Sequence, residues 1–135
     1  MAQTIGIKDL IFTLMPTTPS ATLLGADLTL ANGTNAVWTL PKSGPCLIYA
    51  FLKFKAVGTA LALFPRTGSN NTLTSNFQQA IAIVDTSSNY ITANTTLPVD
   101  MISDLAATAY FGLYCNGAPT GSYTLDYRYE YYPLQ

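Results

Sequence analysis

The chain contains no histidine. That absence removes Ser-His-Asp triads, Cys-His dyads and zinc sites built with imidazole. Charge is nearly as scarce, with six Lys and Arg and seven Asp and Glu in 135 residues and a net charge of −1. Globular chains usually carry about a quarter charged residues, and here Thr, Ser, Asn and Gln take that place. Cations this few and scattered do not neutralise a run of phosphates, so no nucleic-acid binding is expected. There is no Gly-x-Gly-x-x-Gly run and no Walker loop, so dinucleotide and P-loop chemistry are not indicated. No apolar stretch approaches the length of a membrane span, and no membrane partner is expected. The first apolar run, Leu10 to Met15, follows Lys8 and Asp9 and stops at Pro16, which does not read as a signal peptide.

Cysteine occurs twice, at Cys46 and Cys115. Without histidine the pair does not suggest a transition-metal site, and no cofactor is expected. The two read either as buried thiols or as one disulfide between two strands, and spacing alone does not choose. The acidic residues are Asp9, Asp27, Asp85, Asp100, Asp104, Asp126 and Glu130. Nothing in their spacing sets up the facing carboxylates of glycoside hydrolysis. Asp100 and Asp104 read either as a calcium-sharing pair or as a solvated acidic loop. With no catalytic constellation, the chain is not expected to be an enzyme.

What the sequence does hold is apolar and aromatic. Half its residues are hydrophobic, with nine Tyr and six Phe. They fall in short alternating runs between Gly, Pro and Asn turns, with no sustained helical period. Cys46 to Ala56 is the best strand of the first half: Cys46, Ile48, Ala50, Leu52 and Phe54 make an apolar face. Ser122 to Tyr132 alternates most cleanly, with Tyr123, Leu125, Tyr127, Tyr129 and Tyr131 on one side. Asp126, Arg128 and Glu130 share the other and are expected to form exposed charge pairs. A short strand around Leu28–Leu30 turns at Asn32-Gly33 into Ala36 to Leu40. Thr59 to Phe64 is expected to end at Pro65, followed by a polar loop from Arg66 to Phe77. Ala80 to Val84 and Tyr90 to Thr92 read as a hairpin. Residues 93–104 read as irregular, with a helical turn over Met101 to Leu105. Ala107 to Cys115 reads as a further strand.

The fold class is therefore an all-β, antiparallel, jelly-roll-type sandwich of about eight strands. Residues 1–20 read as an N-terminal strand or arm, and residues 21–135 as the sandwich domain. The tyrosines of the last strand admit two roles: half-buried sheet packing, or a contact surface in which large area meets a polar tip. A carbohydrate platform is a third. On the contact reading, the interface residues are Ile7, Leu10, Phe12 and Leu14 of the arm, with Tyr127, Tyr129 and Tyr131 of the last strand. Low charge and abundant aromatics point to self-association.

The ending Gly121-Ser-Tyr-Thr-Leu-Asp-Tyr-Arg-Tyr-Glu-Tyr-Tyr-Pro133 resembles the last strand of viral jelly-roll coat proteins. Trp38-Thr-Leu-Pro41-Lys-Ser-Gly44 before an apolar strand is similar to the trimeric jelly rolls of complement-type heads and tumour-necrosis-factor relatives. These resemblances imply a homotrimer or larger assembly on a virion. Coat proteins that package RNA carry a basic N-terminal arm, whereas here only Lys8 precedes Lys42. The implied role is thus a decoration (cement) protein bound to the capsid shell protein on the capsid surface. A receptor- or glycan-binding fibre knob and the major coat protein are the alternatives.

Overall fold

The computed structural model describes residues 18–86 and 90–134. They form nine strands: β1 (Ala21–Thr29), β2 (Gly33–Thr39), β3 (Cys46–Ala56), β4 (Leu61–Gly68), β5 (Gln78–Gln79), β6 (Ile83–Asp85), β7 (Thr96–Ser103), β8 (Tyr110–Cys115) and β9 (Thr124–Pro133). One sheet has the order β1-β9-β3-β7; the other has β2-β8-β4-β5, with β6 also on β4. All pairings are antiparallel. The chain therefore wraps as a jelly roll: the last strand lies beside the first, and consecutive strands are shared between the two sheets. If β5 and β6 count as one interrupted strand, the number is eight.

The core follows from the alternation in β3 and β9. Ile48, Ala50, Leu52 and Phe54 are buried against Tyr123, Leu125, Tyr129 and Tyr131, and Leu63, Phe111 and Leu113 join from the second sheet. β3 lies between β9 and β7 and is paired along its length. Gly25 is required in β1: it faces Tyr127, and a Cβ there would stand 2.1 Å from the ring. Register slips between Gly25 and Leu28, where Asp27 adopts a φ of 56° and its N–H turns to the Asp126 carboxylate.

Several expectations are corrected. The first described strand starts at Ala21, well before Leu28, because pairing to β9 continues on both sides of the bulge. β4 does not stop at Pro65 but runs to Gly68. The Pro65 carbonyl accepts from Ala80 N–H, so its imide nitrogen faces the break between β5 and β6, where the missing N–H costs no ladder bond. Residues 69–77 form the loop, and Leu73 within it is fully buried over Gly112. Ala80 to Val84 and Tyr90 to Thr92 make no hairpin: Ile83–Asp85 pairs with Leu61–Leu63 of β4. The region 93–104 is not irregular, and Met101 to Leu105 is no helical turn. Thr96–Ser103 is an edge strand on β3, a position that tolerates Pro98. Cys46 and Cys115 are both buried free thiols, and burial pushes the Cys46 thiol up to about 11.

Candidate functional site: a groove between two sheet edges

β7 borders one sheet, and β5 and β6 border the other. Between these edges lies a groove of about 520 Å³, lined by residues 78–83, residues 97–102 and Tyr90. Its first wall is pinned from three sides. Gln78 donates to Asp104 Oδ1 at 2.7 Å, and Asp104 N–H returns a bond to Gln78 Oε1 at 3.0 Å, tying β5 to the chain that leaves β7. Gln79 Oε1 accepts from Arg66 Nε at 2.7 Å. The Arg66 guanidinium is itself held between Phe77 and Tyr114, 4.3 and 3.8 Å from their ring centres. Ala80 N–H binds the Pro65 carbonyl.

Beyond these anchors the wall leaves the ladder, and Ile81 is 92% exposed. Tyr90 and Ile102 are also exposed, at 62% and 41%. Asp100 is the single charged residue among the described lining residues. The lining is thus an aromatic ring, aliphatic side chains, two amides and one carboxylate, with no cation. A groove with this lining takes a ligand by shape, apolar contact and hydrogen bonds rather than by charge.

A shallower groove of about 310 Å³ crosses the outer face of the β1-β9-β3-β7 sheet, beside Phe51, Lys53, Asp126 and Arg128. Here the charges satisfy one another. Lys55 bridges Asp27 and Asp126, and Arg128 pairs with Glu130 at 2.6 Å. Hydrogen bonding to Asp27 raises the Lys55 ammonium; the Asp27 N–H, with Lys55 near by, lowers the Asp126 carboxyl. Such exposed pairs are worth little, and they leave this face mostly self-neutralised.

The interface residues read from sequence divide three ways. Ile7, Leu10, Phe12 and Leu14 lie outside the described residues. Tyr129 and Tyr131 are corrected: both are buried core residues, 0% and 2% exposed, and present no surface to a partner. Trp38 packs on both rings, and Phe111 meets Tyr129 edge-on at 4.7 Å. Tyr127 is half-buried against the same core, tilted 4.8 Å from Tyr129. Asp104 is engaged by Gln78, and among the described residues no group of three metal-ligating side chains occurs. Sequence reading missed Ile81 and Tyr90 as site residues because it placed them in a hairpin. The available signal was Leu97, Val99 and Met101 alternating with Pro98, Asp100 and Ile102, which marks β7 and hence the groove's second wall.

No family model matches the sequence, and no curated protein matches it. Among solved structures, the chain is similar to the xylan-binding module CBM15, with a TM-score of 0.55 and 18% identity over 89% of this chain and 86% of that one. It also resembles the CBM22-1 xylan-binding domain from Paenibacillus barcinonensis Xyn10C, at TM-score 0.47 and 13% identity, covering 90% and 92%. A third match is a chain of the infectious bursal disease virus Gx strain, at TM-score 0.44 and 11% identity, covering 84% of this chain and 31% of that one. The likeness is one of fold. The protein is a jelly-roll β-sandwich, an architecture it shares with the CBM15 module.

Proposed function

We propose that this protein is a non-catalytic binding module for neutral polysaccharide, with the groove between β7 and the β5–β6 edge as its site. The observation that carries this reading is the groove's lining: Tyr90, exposed aliphatic side chains, Gln78 and Gln79, the lone carboxylate Asp100, and no cation. A pyranose offers an apolar C–H face and a rim of hydroxyls. An aromatic or aliphatic surface takes the face, and the donor and acceptor positions that Gln78 and Gln79 keep beyond their bonds to Asp104 and Arg66 take the rim. Without a cation, the groove gives no purchase to uronates, sulfates or sialic acids. The same architecture carries xylan-binding modules, so xylan is the first ligand to test.

Calorimetric titration with xylan, a neutral β-glucan and polygalacturonate is the experiment. Binding of a neutral chain, unaffected by added salt, is expected, with no binding of polygalacturonate. Tyr90→Ala should weaken it about tenfold, the equivalent of roughly 1.4 kcal/mol, without lowering the melting temperature. Failure of the folded protein to bind any neutral glycan, or an unchanged affinity in Tyr90→Ala, overturns the reading.

A second reading, capsid decoration by a homotrimer, draws on a different property of the same side. Ile81, Tyr90 and Ile102 are all exposed there, and exposed apolar clusters mark contact surfaces. Sedimentation at micromolar concentration tests it: a trimer is expected, and a monomer both in solution and on the particle rejects it.

A further inference from the structure

The chain holds two Asn-Gly dipeptides, Asn32-Gly33 and Asn116-Gly117, and the fold sets them side by side. Gly33 opens β2 and pairs with Cys115, the last residue of β8. Both glycines have a φ of 93°, and a Cβ at either would meet no atom within 4 Å. Asn32 Oδ1 accepts the Gly117 N–H at 3.0 Å across the strand ends. The Cys115 thiol donates to the Gly117 carbonyl at 3.2 Å. The Asn116-Gly117 turn is therefore held by Asn32 on one side and by Cys115 on the other.

Asn-Gly is the dipeptide most open to deamidation, because glycine has no Cβ to hinder its nitrogen. In that reaction the glycine nitrogen loses its proton to solvent base and attacks the asparagine Cγ. A C–N bond forms, the bond to the side-chain nitrogen breaks, and ammonia leaves. Water then opens the succinimide at either carbonyl, giving aspartate or isoaspartate, with no change of oxidation state.

We propose that Asn116 is a latent deamidation site and that the Asn32 side chain controls it by holding the Gly117 N–H. An N–H given to Asn32 is not readily deprotonated, since solvent base must first displace the Asn32 oxygen. When Asn32 lets go, the nitrogen becomes the nucleophile. The control survives simple conversion of Asn32 to aspartate, because a carboxylate accepts the same bond. Reaction at Asn116 would add a negative charge to a chain of net charge −1. An isoaspartate there would add a methylene to the backbone just past Cys115, where β8 meets both β2 and β4.

The test follows Asn116 by intact mass and peptide mapping at mildly alkaline pH, in wild type, Asn32→Ala and Asn32→Asp, with the urea-unfolded chain as the upper limit. Wild type should react about tenfold more slowly than the unfolded chain, the worth of one held hydrogen bond. Asn32→Ala should approach the unfolded rate, and Asn32→Asp should stay slow. Equal rates in wild type and a folded Asn32→Ala overturn the proposal, as does a wild-type rate equal to the unfolded one. Should Asn32→Ala fail to fold, hydrogen exchange of the wild-type Gly117 amide decides: protection supports the control, and exchange at the free-peptide rate refutes it.

Discussion

Replacing Tyr123 with phenylalanine isolates one polar contact inside an otherwise apolar core. Asp85 ends β6 with no exposed surface. Its Oδ2 accepts from the Tyr123 hydroxyl at 3.0 Å, and its Oδ1 is buried with no partner. The phenylalanine ring keeps the edge-on packing against Phe54, now at 6.3 Å and 84°, so volume is conserved and only the hydroxyl goes. A hydrogen bond to a charged group contributes about 1.5–3 kcal/mol, and stripping a buried carboxylate of its partner costs more. The expected loss is about 3 kcal/mol. With a urea m-value of about 2 kcal/mol/M, the unfolding midpoint should fall by roughly 1.5 M. The cycle with Asp85→Ala, which removes the acceptor, should be non-additive by at least about 1 kcal/mol, since the two residues share the bond. A loss below about 0.5 kcal/mol, or simple additivity, would refute the assignment of this pair as a coupled core element.

Three further outcomes are expected. Leu52→Ala removes a fully buried side chain from β3 and should cost roughly 2–5 kcal/mol in the same urea assay. Gly58→Ala places a Cβ 2.2 Å from the Thr120 carbonyl oxygen and 2.9 Å from Gly121 backbone; since backbone cannot step aside as a side chain does, a loss of about 2 kcal/mol or more is expected from thermal melts. Stability should also fall in alkali. Burial, then Asp85, pushes Tyr123 up to about 12, and burial holds Tyr129 well above its ordinary value of 10.0. Below the unfolded pKa both states keep these protons and the contribution is whole. As pH rises from about 10 toward 12 the unfolded chain ionises first, so urea midpoints should drop across that window and stay level beneath it.

The sequence by itself determined the layer architecture and most of the core. In β3 and β9, side chains alternate every second residue, so which face is buried can be read directly from the letters. The buried faces of Ile48, Ala50, Leu52 and Phe54 and of the Tyr123–Tyr131 stripe needed nothing else, whereas the pairing of the two strands came from the structure. The turn at Asn32-Gly33 was legible because glycine acts through local backbone geometry. Only the tertiary structure decided how the edges meet. β7 is held by β3, far away in sequence, and Pro98 disguised it as a loop. β4 passes through Pro65 because the partner edge is broken at that level. Tyr129 and Tyr131 of β9 became core rather than surface because the second sheet, carrying Trp38 and Phe111, covers them. The groove beside Tyr90 exists because two edges from different sheets stop short of each other. No local pattern encodes that gap, which depends on the relative placement of strands that never pair.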